Sequence, residues 1–279
     1  MKKLLKKKLS NKIIALLLAA VLVFGLTACA NKAAPAPSAE PSAPLSEEPS
    51  APVETAPAVP TPDPESPAGR AAAKGLPAPP DIDITSREFI FNNSYNSIKE
   101  YSLENNYSGV GGQGADKDAV PAVQELLNAA RADGLDAYIS VGYRNFEWLL
   151  NHYSYHVNDL GMGVEVAKIF LGPGVNEHQT GFAFDFTDNV AYSSIYYEYD
   201  ASGVEDTELY AWLCEHCAEY GLILRYPEGK EDYYGTACNC AAHFRYVGVE
   251  AATYIMENDL CFEEFLMLYD PDLVFVPEK

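Results

Sequence analysis

The stretch from Pro173 to Asp188, PGVNEHQTGFAFDFTD, places a histidine and a carboxylate on either side of a glycine turn that leads into an apolar strand. These residues, His178 and Asp185, are ligand types that zinc accepts together. A third ligand has to come from elsewhere, and His243 in the stretch HFRYVG is a candidate. From the stretch alone, a surface histidine and a capping aspartate are an equally good interpretation.

The first 29 residues have the composition of a secretory signal peptide. Six lysines and no acid lie in Met1–Lys12, and an apolar run follows from Ile13 to Leu26. This run is too short to cross a bilayer comfortably, because crossing takes about 20 apolar residues. It ends in LTAC, which resembles the bacterial lipobox and predicts that Cys29 is acylated. An ordinary cleaved signal with a coincidental cysteine is the alternative.

Charge excludes one class of partner. Without residues 1–29, thirteen basic residues face forty acidic ones, a formal charge of −27. A surface this acidic repels nucleic acid and anionic lipid headgroups. We therefore expect no nucleic-acid partner, and contact with a membrane only through the lipid anchor.

Composition also predicts where the folded domain begins. Residues 30–80 contain fourteen of the nineteen prolines and almost no large apolar residue, which predicts a disordered Pro/Ala/Ser/Glu-rich linker. Residues 81–279 are the expected domain, with a core at about 118–270. Residues 81–114 show little apolar periodicity, and only an irregular segment or short edge strand is expected there.

Periodicity within the core alternates between helical and extended patterns. Helices are predicted from Asp118 to about Asp133, from Phe146 to Val157, around Val164–Phe170, from Asp206 or Thr207 to Gly221, and around Glu250–Glu257 and Phe262–Tyr269. Strands are predicted at Ala137–Val141, Phe182–Phe186, Leu222–Tyr226 and His243–Val247. Because the order lacks regular βαβ units, the fold class is predicted as α+β, with a small, mostly antiparallel sheet flanked by helices.

The cysteines make a redox function a second possibility. Once Cys29 is assigned to a lipid, five of the six cysteines remain, so at least one thiol is unpaired or bound to something else. Cys214 and Cys217 form a C-x-x-C pattern that permits a redox function. Because Cys217 shares the apolar face of a predicted helix, a packed thiol or a local disulfide is the favoured interpretation.

Four blocks occur in one order over about a hundred residues: GYRNFE, PGVNEHQTGFAFDF, WLCEHCAEYGLILRYPEGKE and HFRYVG. With these blocks the chain resembles the VanY-type zinc D-alanyl-D-alanine carboxypeptidases of peptidase family M15. The resemblance implies the M15, or hedgehog-like, zinc peptidase fold. It also implies Zn²⁺ held by His178, Asp185 and His243, with an open fourth position for water. Arg144 would stabilise oxyanion or carboxylate charge, with a surface ion pair as the alternative, and Asn176 would contact substrate.

The chain departs from the family pattern at positions expected to lie in the catalytic site. The family's E-P-W-H is replaced by Cys240-Ala241-Ala242-His243, so Cys240 occupies the catalytic general-base position. Because thiolate binds zinc well at this spacing, Cys240 could instead close the fourth coordination position. A disulfide with Cys238 or Cys261 is an equal alternative.

Two further positions, in or next to these blocks, carry an expectation. Leu149 stands where the family often has glutamine, and Glu177, beside His178, is expected to support a ligand rather than to react.

The resulting expectation is a monomeric, lipid-anchored bacterial protein on the extracellular face of the cytoplasmic membrane. It would bind Zn²⁺ and act as a D-alanyl-D-alanine carboxypeptidase on peptidoglycan stem peptides. The alternative is an impaired pseudoenzyme that binds wall peptide or a structural zinc without hydrolysis.

Overall fold

A small antiparallel sheet forms where the sequence alternates aromatic and polar residues. The computed structural model describes residues 61–93, 96–164, 172–189, 203–234 and 242–273. Four strands pair in the order β3-β4-β6-β5, all antiparallel. Their bounds are Tyr138–Val141 (β3), Ala183–Thr187 (β4), Leu222–Leu224 (β5) and His243–Tyr246 (β6). The predicted α+β class and its four predicted strands are confirmed.

The two faces of this sheet have opposite character. Phe184, Phe186 and Phe244 belong to an apolar core formed with the helices packed on one face. Because side chains alternate along a strand, Asp185 and His243 lie on the other face. This second face is buried as well: Asp185 and His243 are at most 6% exposed, and Ile223 of β5 joins a second apolar core with Phe262 and Phe265.

Seven helices are found in the described ranges. They are Pro67–Ala73 (α1), Val120–Ala132 (α2), Phe146–Asn158 (α3), Glu208–His216 (α4), Glu231–Tyr234 (α5), Val249–Glu257 (α6) and Phe262–Tyr269 (α7). The predicted helices that correspond to α2, α3, α4, α6 and α7 are confirmed, whereas the piece around Val164–Phe170 falls almost entirely outside the described residues. None of the described helices has the length and apolarity that crossing a membrane requires.

A two-stranded hairpin precedes the sheet and was not predicted. Its strands are Tyr107–Val110 (β1) and Gln113–Asp116 (β2), joined at Gly111 and Gly112, both with positive φ. The strands have too few large apolar residues for an alternating pattern, so backbone pairing decides the structure here.

The expectation of a disordered linker up to residue 80 is wrong for the part that the structure describes, 61–80. Ser66 caps α1 by accepting a hydrogen bond from the Gly69 amide, and Ala71 is fully buried. Arg70 donates to the Leu268 carbonyl (2.6 Å) and to the Tyr269 carbonyl (2.7 Å) at the end of α7. A segment with little apolar content folds here because α7 supplies the surface against which it packs. Residues 30–60 lie outside the described residues.

Candidate metal centre

The turn that carries His178 is held by local hydrogen bonds. Residues Glu177–Thr180 form a short 3₁₀ helix, capped by Asn176, whose Oδ1 accepts from the His178 amide (2.9 Å). Gly181 ends the turn in the left-handed region with φ 80°. A Cβ at this glycine would lie 2.7 Å from a Leu103 methyl and 3.0 Å from the Asp116 amide nitrogen. Glycine is therefore required both by conformation and by space.

The structure brings the three predicted metal ligands together. One ligand atom from each of His178, Asp185 and His243 lies within 4.8 Å of the others, and all three residues are buried. Asp185 and His243 are paired across β4 and β6, whereas His178 approaches from the preceding turn. His178 Nε2 is 3.2 Å from Asp185 Oδ2, and His243 Nδ1 is 2.7 Å from Asp185 Oδ1.

Each histidine has its second ring nitrogen engaged away from this centre. His178 Nδ1 is 3.2 Å from the Ala183 carbonyl oxygen, and His243 Nε2 is 2.9 Å from Glu177 Oε2. With a metal ion bound, these acceptors would keep the proton of each ring on its outer nitrogen, which leaves Nε2 of His178 and Nδ1 of His243 as lone-pair donors toward the metal. Two imidazoles and one carboxylate, oriented in this way, fit an open zinc site.

Charge is strongly coupled among these groups. Burial would raise the pKa of Asp185, but the charges and hydrogen bonds of His178 and His243 outweigh it and lower that pKa. Burial would lower the pKa of His243, yet the neighbouring carboxylates of Asp185 and Glu177 raise it to about 9. In the absence of a metal ion, His243 is therefore protonated at neutral pH, and its positive charge lies between the carboxylates of Asp185 and Glu177.

Behind His243 lies a buried charge cluster that sequence reasoning missed, apart from Glu177. Glu177 Oε1 accepts from Arg225 Nε (2.7 Å), and Arg245 Nη1 lies 3.0 Å from the same oxygen. Arg225 also donates to both carboxylate oxygens of Glu263 on α7, at 2.9 and 2.6 Å. The signal in the sequence was an arginine within or directly after each of two apolar strands, LILR and HFRYV, where a buried charge needs partners.

Arg144 lies next to the ligand turn, because its backbone amide donates to the His178 carbonyl at 3.2 Å. Its Nη1 donates to Gln113 Oε1 (3.1 Å) and to the Tyr143 carbonyl (2.9 Å), and its guanidinium carbon is 5.0 Å from the Trp148 ring centroid. Within the part of the chain that the structure describes, these bonds use Nη1 only, which leaves Nη2 and Nε as donors for a ligand.

A cleft of about 700 Å³ adjoins this guanidinium. It is lined by residues from the hairpin and the turn before it, and from the start of α3 and the segment that leads into it, including Glu104, Tyr107, Gln113, Arg144 and Trp148. Arg144 remains close enough to Asp185 for the two charges to attract. The cleft and the metal centre are therefore neighbours, and the unpredicted hairpin contributes Gln113, the residue that holds the arginine.

Four other predicted positions have different outcomes. Asn176 uses its side-chain oxygen in the local cap, and its contact with substrate stays a prediction. Leu149 is buried in α3. Cys240 and Cys29 both lie outside the described residues, so their assigned roles stay predictions.

The described cysteines do not have the properties of a redox pair. Cys214, Cys217 and Cys261 are free thiols. Burial raises the pKa of Cys214 and, with a contribution from Cys214, raises the pKa of Cys217 to about 12. A reactive C-x-x-C needs a lowered thiol pKa, so this pair fits packed thiols. Cys238 and Cys240 lie outside the described residues, so the disulfide considered for Cys240 stays a prediction.

Comparisons with known proteins agree on one family. A model of the VanY family, described as D-alanyl-D-alanine carboxypeptidase, matches residues 113–249. The chain is 34% identical over 156 residues to a D-alanyl-D-alanine carboxypeptidase of Enterococcus faecalis, covering 52% of the chain and 53% of the relative. It is 30% identical over 155 residues to the putative carboxypeptidase YodJ of Bacillus subtilis, covering 53% and 52%. The chain thus spans about half the length of these curated relatives.

Two solved structures of similar fold are matched over nearly their whole length. One is a mutant of the vancomycin resistance D,D-pentapeptidase VanY from a VanB-type cassette in complex with Zn(II), at 31% identity and a TM-score of 0.53, covering 65% of this chain and 99% of that one. The other is VanYB in complex with D-alanine-D-alanine, also at 31% and 0.53, covering 65% and 98%. The predicted family resemblance is confirmed: the chain belongs to the VanY family of D-alanyl-D-alanine carboxypeptidases.

Proposed function

We propose that this chain is a zinc-dependent carboxypeptidase that removes the terminal D-alanine from peptidoglycan stem peptides. The observation that carries the proposal is the convergence of His178, Asp185 and His243 on one buried point, with Arg144 beside it. When bound there, zinc supplies Lewis acidity and lowers the pKa of bound water toward about 7.

The chain's own residues orient the ligands and the substrate. Ala183 and Glu177 hold the outer nitrogens of the two histidines, so the inner nitrogens face the metal position. Arg144 would pair with the substrate's terminal carboxylate or with a developing oxyanion through the nitrogens that Gln113 does not occupy. The support for D-alanyl-D-alanine as the recognised unit comes from the names of the relatives, including VanYB bound to that dipeptide.

A second candidate function is favoured by one sequence position. Cys240 replaces the glutamate that the family places three residues before the last metal ligand. A positioned general base contributes about 100- to 10,000-fold to rate, so a chain without one would bind zinc and stem peptide but turn over slowly. This second candidate is a wall-peptide-binding protein with little or no hydrolysis.

Zinc titration combined with release of D-alanine from a stem pentapeptide separates the two functions. Stoichiometric zinc with zinc-dependent release supports the carboxypeptidase. Stoichiometric zinc without release, together with release in a Cys240→Glu variant, supports the binding protein and refutes the first proposal. A tetrapeptide substrate distinguishes L,D from D,D cleavage. His178→Ala is the control that should lose both zinc and release.

We further propose that the protein is exported, acylated on Cys29 and held at the extracellular face of the membrane as a monomer. The support is the order of segments in residues 1–29: a lysine-rich start, an apolar run and the sequence LTAC that ends at Cys29. Labelling with a radioactive fatty acid should mark the wild-type protein and not a Cys29→Ser variant. Equal labelling of both would refute the assignment.

A further inference from the structure

We propose that Glu263, on the last helix α7, is a positioning residue for the metal centre, acting through Arg225 and Glu177 on the ligand His243. This inference rests on the metal site proposed above and extends it by a buried chain of four side chains. Helix α7 lies beyond residues 113–249, the span that the family model matches.

The first link sets the orientation of a ligand ring. His243 Nε2 donates to Glu177 Oε2 at 2.9 Å, while Nδ1 of the same ring faces Asp185 Oδ1 at 2.7 Å. A carboxylate at the outer nitrogen favours the tautomer with the proton on Nε2. Rotation or flipping of the ring would break this bond, so Glu177 determines which nitrogen meets the metal.

The second link determines where Glu177 itself points. Arg225 Nε and Arg245 Nη1 both approach Oε1, at 2.7 and 3.0 Å, which leaves Oε2 for His243. Arg225 could rotate about its long side chain, but Glu263 accepts from both of its terminal nitrogens. This two-point contact fixes the plane of the guanidinium and therefore the direction of Nε.

Charge balance gives Glu263 a second effect on the metal. The carboxylates of Glu177 and Glu263 compensate the guanidinium groups of Arg225 and Arg245, and each of these side chains is at most 3% exposed. Loss of the Glu263 charge would leave this cluster positive beside a dication. Because charges interact strongly in a buried environment, both the altered geometry and the altered charge should weaken metal binding.

The competing explanation is that Glu263 only attaches α7 to the sheet. In that case, a folded variant without the charge would bind zinc as the wild type does, and its ligand geometry would be unchanged. Glu264 provides a matched comparison: it is next to Glu263 on the same helix and has the same size and charge. It contacts Lys230 Nζ (2.8 Å), the Cys261 amide (3.1 Å) and the Tyr233 side chain instead of Arg225.

The experiment measures zinc affinity by competition with a chelator, and the visible spectrum of the Co²⁺-substituted protein, for the full chain carrying Glu263→Gln or Glu264→Gln. We expect Glu263→Gln to weaken zinc binding about tenfold, the lower end of the effect typical for partners of metal ligands. Its cobalt bands should shift, whereas Glu264→Gln should match the wild type in both measurements.

If Glu263→Gln fails to fold, the pair Arg225→Met with Glu263→Met tests the same link without leaving an unpaired buried charge. It should fold and show the same spectral shift. Wild-type zinc affinity and an unshifted spectrum in a folded variant would overturn this inference alone. Absence of zinc binding by the wild type would overturn both this inference and the proposed metal site.

Discussion

Asp185 and His243 stand opposite each other on neighbouring strands, and Asp185 Oδ1 lies 2.7 Å from His243 Nδ1. That nitrogen is the one proposed to bind the metal, so a proton and a metal ion compete for the same lone pair. The pairing of these two residues therefore links zinc affinity, the protonation of His243 and the stability of the metal-free protein.

Zinc affinity should rise with pH. Because the pKa of His243 is raised to about 9 in the metal-free protein, zinc must displace a proton at neutral pH. Each pH unit below 9 should weaken apparent binding by up to about tenfold for the one proton released. Calorimetric titration in buffers of different ionisation enthalpy measures this release directly. A pH-independent affinity between pH 6.5 and 8.5 would contradict the assignment of His243.

The metal-free protein should lose stability at alkaline pH. The folded-state pKa of His243 lies above its ordinary value of 6.5, so its contribution is fully present below pH 6.5 and is lost as pH rises through about 9. The expected loss is up to about 3 kcal/mol. Urea unfolding with a chelator present, at pH 6 and pH 9.5, measures it. A His243→Gln variant should lack this component, whereas His216→Gln, changed at a partly exposed histidine, should retain it.

Removal of the bridging carboxylate should abolish metal binding selectively. Asp185→Ala deletes one of three ligands and is expected to prevent stoichiometric zinc binding, as measured by metal analysis after gel filtration. Asp188→Ala, at an exposed carboxylate three residues further along, is the control and should bind as the wild type does. Retained stoichiometric zinc in Asp185→Ala would place the metal elsewhere.

Substitution of Gln113 should lower kcat/KM for the substrate and leave zinc affinity unchanged. Gln113→Leu removes the acceptor of Arg144 Nη1 (3.1 Å) inside the cleft. Hydrogen bonds to charged groups contribute about 1.5–3 kcal/mol, so kcat/KM for D-alanine release should fall about 10- to 100-fold with zinc affinity unchanged. Gln124→Leu, whose amide pairs with Asn128 on the exposed side of α2, is the control. Equal kinetics in both variants would refute the positioning of Arg144.

Substitution by alanine should destabilise the protein more at Gly181 than at Gly134, although both glycines have a left-handed backbone conformation. Alanine at Gly134 (φ 87°) has no atom within 4 Å of its Cβ, so only the backbone penalty of about 1–2 kcal/mol is expected. Gly181→Ala adds contacts with Leu103 and with the Asp116 backbone, and should destabilise the protein further while weakening zinc binding. Thermal unfolding and zinc competition compare the two variants, and equal effects would contradict the steric argument.

The sequence by itself determined the local elements and identified the candidate metal ligands. The helix that contains Trp212 and Leu213 was predictable from spacing, with Thr207 as its cap. The helix ends at His216, and a 3₁₀ turn, Cys217–Tyr220, continues the chain to the predicted stop at Gly221. The turn and strand of residues 173–188 were predictable in the same way. These features depend on neighbours a few residues away, and such interactions are encoded in periodicity and in capping residues.

Only the tertiary structure decided what supports these ligands. Gln113 contacts Arg144 from 31 positions away, and Glu263 contacts Arg225 from 38. Helix α1 packs against α7 from the opposite end of the described chain, although its own composition predicted disorder. No local pattern encodes such pairs, because a buried charge or a small-residue helix is stabilised by whatever surface the fold brings to it.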